Sequence, residues 1–151
     1  VKLVFDTSVW VDHLRSGTLV ELMPLLRARF TLRLDSVTLA ELIAGCRSKR
    51  ERRIVDRIAA PFERAGRILH PLESDFVRAA SALSRLREAG RTLKNPGAAL
   101  LDGLIAAVSC RDGALLVTSN LRDFRMLALE LPLHVEAFAG FRTGVLADRE
   151  R

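Results

Sequence analysis

The 151-residue chain has no tyrosine, one tryptophan, three histidines and two cysteines, and each scarcity excludes something. With seven Phe as nearly all of its aromatic residues, broad stacking of bases is not expected, and phosphate contacts would dominate any affinity for nucleic acid. His13, His70 and His134 are scattered, without a His or Cys partner at ligand spacing, which argues against a zinc site. Cys46 and Cys110 lie in apolar helical patterns and read as reduced thiols of a cytosolic, cytoplasmic protein rather than as a disulfide. No apolar run approaches the roughly 20 residues of a membrane helix, and no membrane partner is expected. Asp6 interrupts the apolar start almost at once, which speaks against a signal peptide. Neither a P-loop nor a dinucleotide glycine pattern is present.

What is there is an ordinary globular mixture, 49% hydrophobic and 28% charged, in a length that suits one domain with a real core. Lys and Arg number 24 against 18 Asp and Glu, a net charge of +6. That balance makes a polyanionic partner plausible without identifying one.

Strand and helix patterns alternate, which predicts an α/β fold: a mainly parallel sheet of about five strands with helices on both faces. Strands are expected at residues 2–6, 31–34, 67–70, 114–117 and 133–136. Ser8 and Ser36 read as helix caps, and residues 18–29 as one helix. A charged amphipathic helix over 48–64 has Ile54, Val55 and Ile58 as its buried stripe and an end near Pro61. Further helices are expected from Ser74 to near Gly90, over 98–111 and over 121–129. Asn95-Pro96-Gly97 marks a turn. The domain is expected to span 1–142, followed by a polar tail at 143–151 that frays.

Four acids stand where such a fold would present them. Asp6 ends the apolar strand Leu3-Val4-Phe5, and Asp123 follows the strand Ala114-Leu115-Leu116-Val117 through a short polar link. Glu41 interrupts an apolar helical stretch, and Asp102 lies in the first turn of another helix. In open parallel sheets, ligands bind beyond the carboxyl ends of the strands, where the winding direction changes. Asp6, Asp102 and Asp123 each also have a bland role as helix-terminal acids. Four gathered carboxylates would concentrate charge that a hard divalent cation relieves, and such cations serve phosphate chemistry.

Asp6-Thr7-Ser8-Val9-Trp10-Val11-Asp12-His13-Leu14 resembles the opening of PIN-domain ribonucleases, especially the VapC toxins of bacterial toxin–antitoxin pairs. Leu39-Ala40-Glu41-Leu42-Ile43-Ala44-Gly45, Asp102-Gly103-Leu104-Ile105-Ala106-Ala107 and Thr118-Ser119-Asn120-Leu121-Arg122-Asp123-Phe124 are similar to the family's later motifs. The resemblance runs in order over nearly the whole chain. It implies a parallel α/β/α sandwich and Mg²⁺- or Mn²⁺-dependent endoribonuclease activity with one or two ions. By the same resemblance, Asp6 and Asp102 are the direct metal ligands and Glu41 binds metal or a metal-bound water. Asp123 belongs to a second metal or an outer shell, with Asn120 as the alternative for the fourth position. Thr7, Ser8, Thr118 and Asn120 are auxiliary. The family also implies an RNA substrate, a cognate VapB-like antitoxin and a homodimer, for which Trp10, Leu14 and the helices before residue 60 offer a face.

Other readings stay open. The basic runs Arg47 to Arg57 and Arg85 to Lys94 fit either an RNA track or a solvated helix face. A PIN nuclease of RNA processing, or a non-catalytic PIN-like scaffold, would share these motifs. An aspartyl-nucleophile phosphatase would want an acid two residues after Asp6, where this chain has Ser8.

Overall fold

The computed structural model describes residues 1–148. Five strands form one sheet in the order β3-β2-β1-β4-β5: β1 Lys2–Phe5, β2 Thr31–Asp35, β3 Ile68–Leu69, β4 Leu115–Thr118 and β5 His134–Ala137. Every pairing is parallel, with Val4 beside Arg33 on one flank and beside Leu116 on the other. The chain winds outward from β1 to β3, crosses back to β4 and winds outward again. Its direction of winding therefore changes between β1 and β4, where a crevice opens at their carboxyl ends.

The central strands are buried on both faces, so their sequences are apolar without alternation. Successive side chains still divide. Leu3, Phe5 and Val117 join a core with α1 (Thr7–Ser16), α2 (Met23–Arg29), α3 (Ser36–Ala44), α4 (Lys49–Arg64) and α8 (Phe138–Ala147). Val4 and Leu116 join the opposite core with α5 (Glu73–Glu88), α6 (Ala99–Asp112) and α7 (Leu121–Leu127). The fold is thus an α/β sandwich with helices on both faces.

Several local expectations are corrected. Asp6, in the helix-terminal role the sequence also offered it, caps α1 in place of Ser8, and Asp35 rather than Ser36 caps α3: each stands at a strand's end in extended conformation and accepts an N–H of the first helical turn. A carboxylate meets the positive end of a helix better than a hydroxyl does. Residues 18–22 are turns, and helix resumes only at Met23, because Pro24 lacks the N–H that a continuous helix would need. Conversely, α4 runs through Pro61 to Arg64. Its buried stripe is Val55, Ala59 and Phe62, while Ile54 is exposed. The fifth helix buries Asp75 and leaves Phe76 exposed.

The boundary at residue 142 falls inside α8, whose Phe138, Phe141 and Val145 are buried at i, i+3 and i+7. Phe138 and Phe141 set their rings edge-on to Phe5 at 6.2 and 6.1 Å. Two glycines and a threonine between them hide this apolar face in the sequence. The last three residues of the expected tail lie outside the described ones. Trp10 is only 1% exposed and packs on Phe5 and Phe62, so it belongs to the core and not to an outer face. Cys46 and Cys110 are free thiols, each half-buried. Among the described residues no helix is long and apolar enough to cross a membrane.

Candidate active site

Asp6 stands at the crevice between β1 and β4. Its backbone N–H donates to the carbonyl of Val117, which locks the strand end, and its side chain is 3% exposed. Oδ1 accepts from the Ser8 hydroxyl at 2.6 Å and Oδ2 from the Thr118 hydroxyl at 2.9 Å. Burial pushes the Asp6 carboxyl up to about 6, against the pull of these bonds. Ser8 Oγ in turn accepts from the Ser119 N–H at 3.0 Å, tying the start of α1 to the link after β4.

Helix α3 delivers Glu41. Thr7, in the first turn of α1, donates its hydroxyl to Glu41 Oε1 at 2.7 Å and lies 3.4 Å from Thr38 Oγ1. Helix α6 delivers Asp102 from its first turn. Burial, and then the charges of Asp6, Glu41 and Asp123, push the Asp102 carboxyl up to about 7. Three acids from three other segments therefore act on the charge of Asp102. Among the described residues no Lys, Arg or His side chain forms an ion pair with any of them.

Asp123 is fully buried. Its Oδ1 accepts from the backbone N–H of Lys94 at 2.8 Å, and its Oδ2 from Nδ2 of Asn120 at 3.2 Å. Asn120 N–H donates to Thr118 Oγ1 at 2.8 Å. All four auxiliary residues named from the sequence thus touch the acids or one another. Lys94, in the sequence only a member of a basic run, brings its backbone amide to Asp123 across 29 positions, and the Ser119 hydroxyl, unforeseen, donates to Asp12 at 3.0 Å. Nothing in local pattern announces either contact. His13 accepts the Leu19 N–H on Nδ1 and packs edge-on against Trp10, a structural role.

The donor set is all oxygen, which suits a hard cation. It is not a closed cage: among the described residues no three His, Cys, Asp or Glu side chains are grouped closely enough to hold an ion unaided. Residues 3–129 match the model of the PIN domain family. The chain belongs to that family. The PIN domain is a nuclease fold, and this one carries its acids at the crevice where the sheet changes winding direction.

Solved structures agree on the fold. The PIN chain is similar to a chain of the VapBC2 complex of Rickettsia felis bound to promoter DNA, at 22% identity and a TM-score of 0.67, covering 91% of this chain and 99% of that one. For VapBC-1 of nontypeable Haemophilus influenzae the values are 20%, 0.69, 92% and 99%. For DNA-bound VapBC of Salmonella typhimurium they are 23%, 0.67, 91% and 98%. No curated protein matches the chain by sequence.

Proposed function

We propose that this PIN domain is a divalent-metal-dependent endoribonuclease and the toxin of a VapBC-type pair. The observation that carries the reading is the Asp102 carboxyl, raised first by burial and then by the charges of Asp6, Glu41 and Asp123, none of which is ion-paired among the described residues. Such a centre attracts a hard cation. Mg²⁺ keeps several waters and takes one or two carboxylates from protein, so an open donor set fits it better than a closed cage would. Asp6 and Asp102 are the proposed ligands, with Glu41 as a further ligand or the holder of a water.

Bound there, Mg²⁺ or Mn²⁺ would supply an activated water and neutralise charge at the phosphate. The rest falls to the chain. Ser8 and Thr118 fix both oxygens of Asp6. Thr7 turns Glu41 inward. Asn120 and Thr118 orient the link that faces the incoming phosphate. The basic remainder of the molecule draws the polyanion in.

A toxin of this kind is held inactive by its antitoxin. The similar structures are VapBC complexes, which supports a VapB-like partner. A groove of about 410 Å³ beside Glu41, lined by Val11, Leu14, Leu42 and Val55 with Arg15 and Arg47, gives a peptide a path to the acids. A homodimer is the proposed assembly.

The test is cleavage of single-stranded RNA by the purified chain with Mg²⁺ or Mn²⁺ and with EDTA. Wild-type protein cuts only with metal, while Asp6→Asn and Asp102→Asn lose at least about a hundredfold in rate, the scale of a removed charge-stabilising group. Equal cutting by the variants defeats the assignment.

A further inference from the structure

Asp123 holds the segment that leads into α6. Between α5 and α6 the chain crosses residues 91–95 without regular structure before a 3₁₀ turn at Pro96–Ala98 leads into α6. Two adjacent anchors fix this crossing. Leu93 is 6% exposed, in the same core as Phe124, and the N–H of Lys94 donates to Asp123 Oδ1 at 2.8 Å. The Lys94 side chain itself is exposed and makes no ion pair among the described residues.

The placement has an electrostatic consequence. The amide contact brings the Lys94 backbone to the carboxylate of Asp123, and the charge of Asp123 is one that Asp102 feels. The Lys94 ammonium, on a flexible four-carbon stem, thus springs from a backbone position tied to one of the acids. A polyanion that approaches four carboxylates meets repulsion, and a cation on a stem anchored beside them would offset it. Neither oxygen of Asp123 is free, since Asn120 Nδ2 engages the other.

We propose that Asp123 is a positioning residue that straps residues 91–95 to the site, and that the strap sets Lys94 against an RNA phosphate beside the scissile one. The inference rests on the nuclease reading for its ligand, but not for its geometry. It distinguishes Asp123 from a metal ligand, because asparagine can do the strapping. In Asp123→Asn, Oδ1 still accepts the Lys94 N–H, and Asn120 turns its amide over to accept from the new NH₂.

The experiment measures binding of a single-stranded RNA oligonucleotide by fluorescence anisotropy in EDTA, with amide exchange of Lys94 followed by NMR on the same proteins. Lys94→Gln binds about three- to tenfold more weakly, and its affinity falls less steeply with salt, by about one phosphate contact. Asp123→Ala weakens binding to the same degree and exposes the Lys94 amide to exchange. The double variant is no weaker than Asp123→Ala alone. Asp123→Asn binds at least as well as wild type and keeps the amide protected. The proposal is overturned if Lys94→Gln binds like wild type, or if Asp123→Asn loses amide protection along with Asp123→Ala. Should Asp123→Ala fail to fold, Lys94→Gln and Asp123→Asn decide between them. Wild-type protein that neither binds nor cuts RNA overturns the nuclease reading and the role of Lys94 with it, while the exchange data still judge the strap.

Discussion

Hydroxyls hold two of the acids, Asp6 and Glu41. Thr7 donates to Glu41 at 2.7 Å, and a hydrogen bond to a charged acceptor is worth about 1.5–3 kcal/mol. Thr7→Val keeps the shape of the side chain and removes the donor. On the nuclease reading, kcat/KM falls about tenfold or more, since 1.4 kcal/mol of barrier is a factor of ten, and Thr7→Ser restores it. An unchanged rate for Thr7→Val in a steady-state RNA cleavage assay would show that Glu41 needs no such support. At this scale the sequence was generous with the acids and poor with their partners. Asp6, Glu41, Asp102 and Asp123 stood out as charges set against apolar segments. The Lys94 amide did not, because a backbone donor leaves no mark on residue type.

Helices carry three of the acids, Glu41, Asp102 and Asp123, and the fit between helices decides where they point. Gly103, beside Asp102, lies on the face of α6 that meets α5, where an added Cβ would come within 3.2 Å of the Ala79 Cβ. The strand and helix order was legible because parallel strands buried on both faces read as short apolar runs and the helices between them as periodic ones. Helix ends were less so. Asp35 caps α3 rather than Ser36 because tertiary burial, invisible locally, fixes the strand end in front of the helix. The same close fit yields a prediction for α6. Gly103→Val overpacks the α5–α6 contact and destabilises the fold by about 1–3 kcal/mol. On the nuclease reading it also pushes Asp102 out of line, so RNA cleavage at a temperature where the variant is fully folded drops more than its stability accounts for. Thermal melts and single-turnover rates on one preparation separate the two effects.

Across the whole molecule, three carboxyls are raised together: Asp6 to about 6, and Asp35 and Asp102 to about 7. Asp35, at the end of β2, is fully buried. Burial comes first among its causes and the charge of Asp75 adds to it, while the Val37 N–H and Arg111 pull the other way. A carboxyl raised in the folded state stabilises most below its unfolded value near 3.8, and that contribution is lost as pH rises through about 7. The metal-free protein therefore melts at a lower temperature at pH 8 than at pH 5. Asp35→Asn keeps an acceptor for Val37 and removes the charge, so at pH 8 it melts about 3 °C or more above wild type, for ~1 kcal/mol in a chain of this size. At pH 4 the two coincide. Calorimetry across pH decides it: parallel curves for both proteins would mean that Asp35 is not the titrating group.

Val4 pairs with Leu116, and the chain between them supplies the rest of the sheet's near half and the helices that bear Glu41 and Asp102. Neighbours in space are here far apart in the order of synthesis. On the nuclease reading, a growing polypeptide carries Asp6 for most of its time on the ribosome without its Thr118 contact or its companions. The cutting centre closes only once β4 has emerged and slid in beside β1, so a chain interrupted before that point is harmless to the messenger that encodes it.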